Sequence, residues 1–138
     1  MKRFTATTRT AEDAAREIGT EVERIVKSLV FVSEGEPVVV LCSGRARVNE
    51  GLLATALGKP SVRRATADEA KTLTGFAIGG VPPFGHERGC RVVADEGLLG
   101  FDEVWAAAGL PDAVFPIAPN DLVRIANAEL VRVAAPVS

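Results

Sequence analysis

Lys27-Ser-Leu-Val-Phe-Val-Ser-Glu-Gly-Glu-Pro-Val-Val-Val-Leu-Cys42 is the stretch whose reading decides the fold. Ser28 to Val32 is an apolar run of β-forming residues, and Pro37 to Cys42 is a second. Ser33-Glu-Gly-Glu36 supplies a turn between them, so the pair reads as a β-hairpin. Neither run alternates with polar residues, as a strand with one wet face does. The hairpin is therefore expected at the centre of a sheet, with Lys27 at the entry to its first strand.

Working outward, Thr10-Ala-Glu-Asp13 resembles a capping box, although Asp stands where Glu or Gln is usual. It predicts a short helix to Ile18, stopped by Gly19, and a further helical turn through Val22 and Ile25. After the hairpin, Asn49 is placed to cap a helix carrying Leu52, Leu53, Ala56 and Leu57, ended by Gly58. Ser61 to Ala65 reads as a short strand with an exposed basic pair. Thr66-Ala-Asp-Glu69 is a capping box for a helix to about Thr74, closed by Gly75. Arg91 to Asp95 and Val114 to Ile117 read as strands. Phe101 to Ala108 is ambiguous by periodicity; Gly100 and Gly109 bracket it, and its aromatic and β-branched residues favour a strand. Pro119 and Asn120 open a helix through Ile125, with Asp121 in a first turn where the dipole favours an acid. Leu130 to Val133 reads as an edge strand. The sum is one α+β domain over residues 1–138: a mostly antiparallel sheet, curled toward a barrel, with short helices packed outside.

Composition narrows the function. With 138 residues, 47% of them hydrophobic, the chain has material for a sizeable core. It contains no apolar run long enough to span a membrane, and Met1 to Thr8 lacks the apolar centre of a signal peptide. Cys42 and Cys90 are far apart and belong to no Cys-x-x-Cys pair, which fits a cytoplasmic protein without a zinc site. A net charge of −2 argues against bulk nucleic-acid binding. The charge is uneven, however: residues 45–71 carry Arg45, Arg47, Lys59, Arg63, Arg64 and Lys71 against three acids. Such a face either meets phosphates or is simply solvated. Tyrosine is absent, so a base-stacking platform is not expected. No Gly-x-Gly-x-x-Gly, Walker loop or Gly-x-Ser-x-Gly elbow is present.

Two features remain. Phe76-Ala-Ile-Gly-Gly-Val-Pro-Pro-Phe-Gly-His86 gathers three glycines, two adjacent prolines and the chain's one histidine. It is either a tight surface connection or a stiff loop that holds a ligand. Since Pro82 and Pro83 lack N–H groups, its donors are those of Gly79, Gly80 and Val81, enough to aim two at a carbonyl oxygen. Lys27 either snorkels to water or projects into a cleft as a fixed cation beside Ser28. His86 has the form of a general base, but a lone histidine after glycine reads more simply as a loop residue.

Ile25-Val-Lys-Ser-Leu-Val-Phe31, Gly79-Gly-Val-Pro-Pro-Phe-Gly-His86 and Pro119-Asn-Asp-Leu-Val-Arg124 occur in the order and spacing of the YbaK/EbsC family. These are aminoacyl-tRNA editing domains related to the insertion domain of bacterial prolyl-tRNA synthetase, and the chain resembles them from about Thr5 to Val133. The resemblance implies a mixed, barrel-like sheet and hydrolysis in trans of a mischarged aminoacyl-tRNA ester, Ala- or Cys-tRNA for proline, without metal or cofactor. It gives Lys27 the position of the family's essential lysine and Gly80-Val-Pro-Pro83 that of its Gly-x-x-Pro loop. Lys27 and the N–H groups of Gly80 and Val81 would then be catalytic. Ser28 would fill a neighbouring hydroxyl position, often threonine in the family, and Asp121 an acidic position in the pocket. Gly79, Pro82, Pro83 and His86 would line the substrate. The implied partners are the 3′ acceptor end of tRNA, with Arg45, Arg47, Arg63 and Arg64 as contacts, and prolyl-tRNA synthetase. The alternative is a non-catalytic binding module with the same fold. Only Met1 to Thr8 precede the first helix, where family members commonly carry a further helix and strand, which implies an amino-acid pocket that is more open or differently built. Ala-rich apolar segments are compatible with a dimer.

Overall fold

Val26–Ser33 and Glu36–Ser43 form the expected hairpin, in register from Val26 opposite Ser43 to Ser33 opposite Glu36. Glu34 and Gly35 between them sit at φ 52° and 79°. Positive φ at both turn residues matches the right-handed twist of the flanking strands, and glycine takes the second position without a Cβ penalty. A computed structural model describes residues 2–3, 11–76, 91–107 and 113–135.

In chain order the elements are β1 (Lys2–Arg3), α1 (Ala11–Ile18), β2 (Val26–Ser33), β3 (Glu36–Ser43), β4 (Arg47–Val48), α2 (Glu50–Leu57) and β5 (Arg63–Arg64). Then follow α3 (Ala67–Thr74), β6 (Arg91–Asp95), β7 (Val104–Ala107), β8 (Ala113–Ile117), α4 (Pro119–Ala126), β9 (Glu129–Val131) and β10 (Ala134–Ala135). Single 3₁₀ turns occupy Val22–Arg24 and Glu96–Gly100. A five-stranded sheet runs β5-β2-β3-β6-β9, a three-stranded one β1-β8-β7, and β10 pairs with β4. Among the described residues, β3–β6 and β6–β9 are parallel and the other five pairings antiparallel, an α+β arrangement with short helices. A parallel bridge from Ile25 to Trp105 links the start of β2 to the three-stranded sheet.

The hairpin is central: Val39, Val40, Leu41 and Cys42 are fully buried. Because successive strand residues point to opposite faces, β2 serves two cores. Leu29 and Phe31 pack with Val38, Val40, Leu53, Leu57 and Val133 beneath α2. Val26, Val30 and Val32 pack on the other side with Leu41, Ala70, Leu98, Val104 and Leu122, beneath α3 and α4.

The caps form where the sequence places them. The Asn49 side chain accepts from the Leu52 N–H at 3.0 Å, and Thr66 and Glu69 exchange the two bonds of a capping box. Several boundaries differ from expectation, and β5 keeps only Arg63–Arg64 of the strand expected over Ser61 to Ala65. β2 begins at Val26, which puts Lys27 inside the strand. β7 begins at Val104, because the chain before it winds into the 3₁₀ turn whose Gly97 N–H donates to Asp95. β9 ends at Val131, because the N–H groups of Val133 and Ala134 leave the ladder for Asp95 Oδ1, each at 3.0 Å. β1 lies ahead of α1, paired with β8. Among the described residues no helix is long and apolar enough to cross a membrane.

Candidate functional site

Lys27 stands half-buried on the α2 face of β2, across from Cys42. Its Nζ donates to the Ala46 carbonyl at 2.6 Å. An ammonium has three donors, so two remain for a ligand. No carboxylate pairs with it among the described residues. The loop that receives it is itself held: Ala46 N–H donates to Ser43 O at 2.9 Å, Ser43 Oγ to Glu23 O at 2.9 Å, and Asn49 N–H to Val133 O at 2.8 Å. Arg45 pairs with Glu23 above it. Burial pushes the Cys42 thiol up to about 11, against the opposing pull of the Lys27 charge.

Ser28, the next residue, points to the other face. Its Oγ is buried with no hydrogen-bond partner among the described residues. A buried hydroxyl without a partner costs about 1–3 kcal/mol. Asp121 belongs to α4, which lays Leu122 and Ala126 onto this same side of the sheet. The Asp121 carboxylate is exposed and accepts from Arg124 at 3.2 Å. The structure thus groups Ser28 and the helix of Asp121 on one side, and sets Lys27 on the other. Phe76, where the chain enters the Gly-Pro loop, also packs on the Ser28 side. Gly79, Gly80, Val81, Pro82, Pro83 and His86 lie outside the described residues.

The four candidate RNA-contacting arginines differ in what they already hold. Arg63 makes a bidentate pair with Glu69, at 2.7 and 2.6 Å. That bond and the Thr66 N–H hold the Glu69 carboxyl down at about 2. The Arg64 guanidinium stacks 5.5 Å over the Phe31 ring. Arg45 has Glu23. Arg47 is exposed and has no partner among the described residues.

Sequence reasoning missed two features. A groove of about 480 Å³ opens at the hairpin end of β2, lined by Val32, Gly35, Arg63, Asp68, Glu69 and Leu73. Six residues of strand, about 20 Å, separate it from Lys27, so it is not the lysine's pocket. Asp95 is the second: its carboxylate takes three backbone N–H groups and ties the C-terminal strands to β6. An acid ending an apolar strand was the available signal. Among the described residues no three of His, Cys, Asp and Glu are placed to hold a metal ion.

Residues 5–125 match the family model of the aminoacyl-tRNA editing domain. The chain belongs to that family. This editing domain is 35% identical over 103 residues to a proline–tRNA ligase of Lactobacillus gasseri, covering 75% of the chain but 18% of the ligase. It is 32% identical over 120 residues to the uncharacterized protein YwhH of Bacillus subtilis, covering 86% of the chain and 76% of YwhH. Among solved structures, a candidate trans-editing enzyme for prolyl tRNA synthetase superposes with a TM-score of 0.91 at 44% identity, over 98% of this chain and 85% of that one. The editing domain thus spans less than a fifth of the ligase it matches, and three quarters of YwhH.

Proposed function

We propose that residues 1–138 act in the cytoplasm as one trans-editing deacylase, hydrolysing the ester of a mischarged tRNA for proline that carries alanine or cysteine. The observation that carries this reading is Lys27: a half-buried ammonium fixed to the Ala46 carbonyl, with two donors left and no carboxylate to neutralise it among the described residues. Such a cation suits the polar end of the substrate, the terminal ribose and its ester. The N–H groups of Gly80 and Val81 would orient the ester carbonyl, a pair worth about 3 kcal/mol per donor where water is excluded. Gly79 and the rigid Pro82-Pro83 would hold that loop, with His86 as support.

Water supplies the oxygen that joins the carbonyl carbon, the ester C–O bond breaks, and the proton passes to the departing ribose oxygen. No side-chain nucleophile is required, since an aminoacyl ester is already activated and positioning supplies much of the rate. By the family resemblance Ser28 and Asp121 would also contact substrate; Ser28 lies on the sheet face opposite Lys27, so the two side chains do not meet at one ester. A second site of this kind is useful because one methylene separates substrates by only about 1–3 kcal/mol in a synthetase pocket.

The test is deacylation of Ala- and Cys-charged tRNA for proline. Wild type should turn over at least one, and Lys27→Ala should lose a hundredfold or more in kcat/KM, the scale of removing one preorganised donor. Turnover that survives in Lys27→Ala sinks the mechanism. Binding of the tRNA without any turnover would instead identify a binding module.

A further inference from the structure

Arg47 is one residue beyond the carbonyl that holds Lys27, so its Cα lies within a few ångströms of the ammonium. Its place is fixed on both sides: Ala135 pairs with it across β4–β10, and Val48 packs inward toward the core around Leu53. Strand alternation then aims Arg47 outward, where it is exposed. Of the four arginines between residues 45 and 64 it alone holds nothing among the described residues. Arg45 is spent on Glu23, Arg63 on Glu69 and Arg64 on the Phe31 ring. Glu50, the nearest acid along the chain, sits in the first turn of α2, where the helix dipole favours it.

We infer that Arg47 takes a backbone phosphate of the RNA strand whose terminal ester Lys27 receives. This rests on the ester-hydrolysis reading for its substrate. An aminoacyl ester ends a strand that carries one phosphate per nucleotide, so a cation beside the ester site meets a phosphate. The guanidinium fork matches phosphate oxygens, and a contact of this kind positions the strand without reading a base. The tethered Ser43–Val48 loop would thus set two cations at a fixed spacing, one for the ester end and one for the chain behind it.

The experiment is fluorescence anisotropy with an uncharged RNA minihelix ending in single-stranded CCA, titrated at several salt concentrations. Arg47→Glu should weaken binding roughly fivefold or more, and Arg47→Ala should lower the slope of log affinity against log salt by about 1. Arg47→Lys should retain most of that slope, and Arg63→Gln should leave affinity and slope unchanged. Thermal unfolding of each variant checks that it is folded. Unchanged binding in both Arg47→Glu and Arg47→Ala overturns the inference, as does an equal loss in Arg63→Gln or a wild type that does not bind the RNA. With the charged minihelix, Arg47→Ala should raise KM and spare kcat. A wild type that binds the minihelix but deacylates nothing defeats the ester-hydrolysis reading, while the binding series still decides Arg47.

Discussion

The two faces of β2 treat their polar residues differently. On the side toward α2, Lys27 has the Ala46 carbonyl and Ser33 Oγ has the Ser61 carbonyl at 2.8 Å. On the side toward α3 and α4, Ser28 Oγ has no partner among the described residues. One strand therefore carries a face where each polar side chain holds a backbone carbonyl and a face with an unpartnered hydroxyl, separated by a single residue. Neighbours in a sequence motif need not be neighbours in a site. Lys27 and Ser28, one residue apart, present their polar atoms to opposite sides of the sheet.

Emptying the packing on the Lys27 side should have the largest effect. Phe31 is 1% exposed and fills the core on the Lys27 side. Phe31→Ala should cost about 3–5 kcal/mol in urea unfolding, the usual range for emptying such a site. A loss below about 1 kcal/mol would mean that this face is not the packed wall that positions Lys27.

The next effect is smaller and opposite in sign on the two faces. Ser33→Ala leaves the Ser61 carbonyl short of a donor and should destabilise by about 1 kcal/mol. Ser28→Ala removes a buried hydroxyl that has no partner, so stability should hold or rise, by up to about 1–3 kcal/mol. If both serines cost the same on truncation, the contrast between the faces disappears. A fall in deacylation by stable Ser28→Ala would sharpen it, assigning the hydroxyl to substrate.

The smallest expected effect lies at the far end of β2. Glu69 is held at about 2, against an ordinary 4.5, first by Arg63 and then by Thr66. A carboxyl lowered in the folded state stabilises above its unfolded value and loses that contribution as pH falls through its folded one. Stability should therefore decline between roughly pH 4.5 and 2 by an amount that Arg63→Gln reduces, read from melting temperatures across that window. The pair is exposed, so salt should weaken the effect. An identical pH profile in Arg63→Gln would detach Glu69 from Arg63.

Much of the fold was legible because its signals are local. Asn49, Thr66, Glu69 and the glycines that close α2 and α3 announce helix ends within a few residues. The hairpin declares itself through Glu34-Gly35 and two unbroken apolar runs. What stayed hidden depends on residues far apart. Nothing in Arg91 to Asp95 says that it pairs parallel to β3, and nothing in Glu129 to Val131 says that it pairs parallel to β6. Arg24 meets Asp102 at 2.6 Å across 78 positions. The value of Arg47 was likewise invisible, since it rests on which of its neighbours had already found acids. The split between Lys27 and Ser28 was readable in principle, from strand period alone. The continuous apolar run concealed it by giving both faces the same character.

Cys42, across the ladder from Lys27, has a bearing on side reactions. An activated ester held beside a thiolate is open to acyl transfer from oxygen to sulfur, which would leave the amino acid on the protein as a thioester. Here the thiol is fully buried and ionises only near pH 11. At neutral pH it stays S–H and out of reach, so under the proposed ester hydrolysis the sulfur beside the lysine would not be acylated.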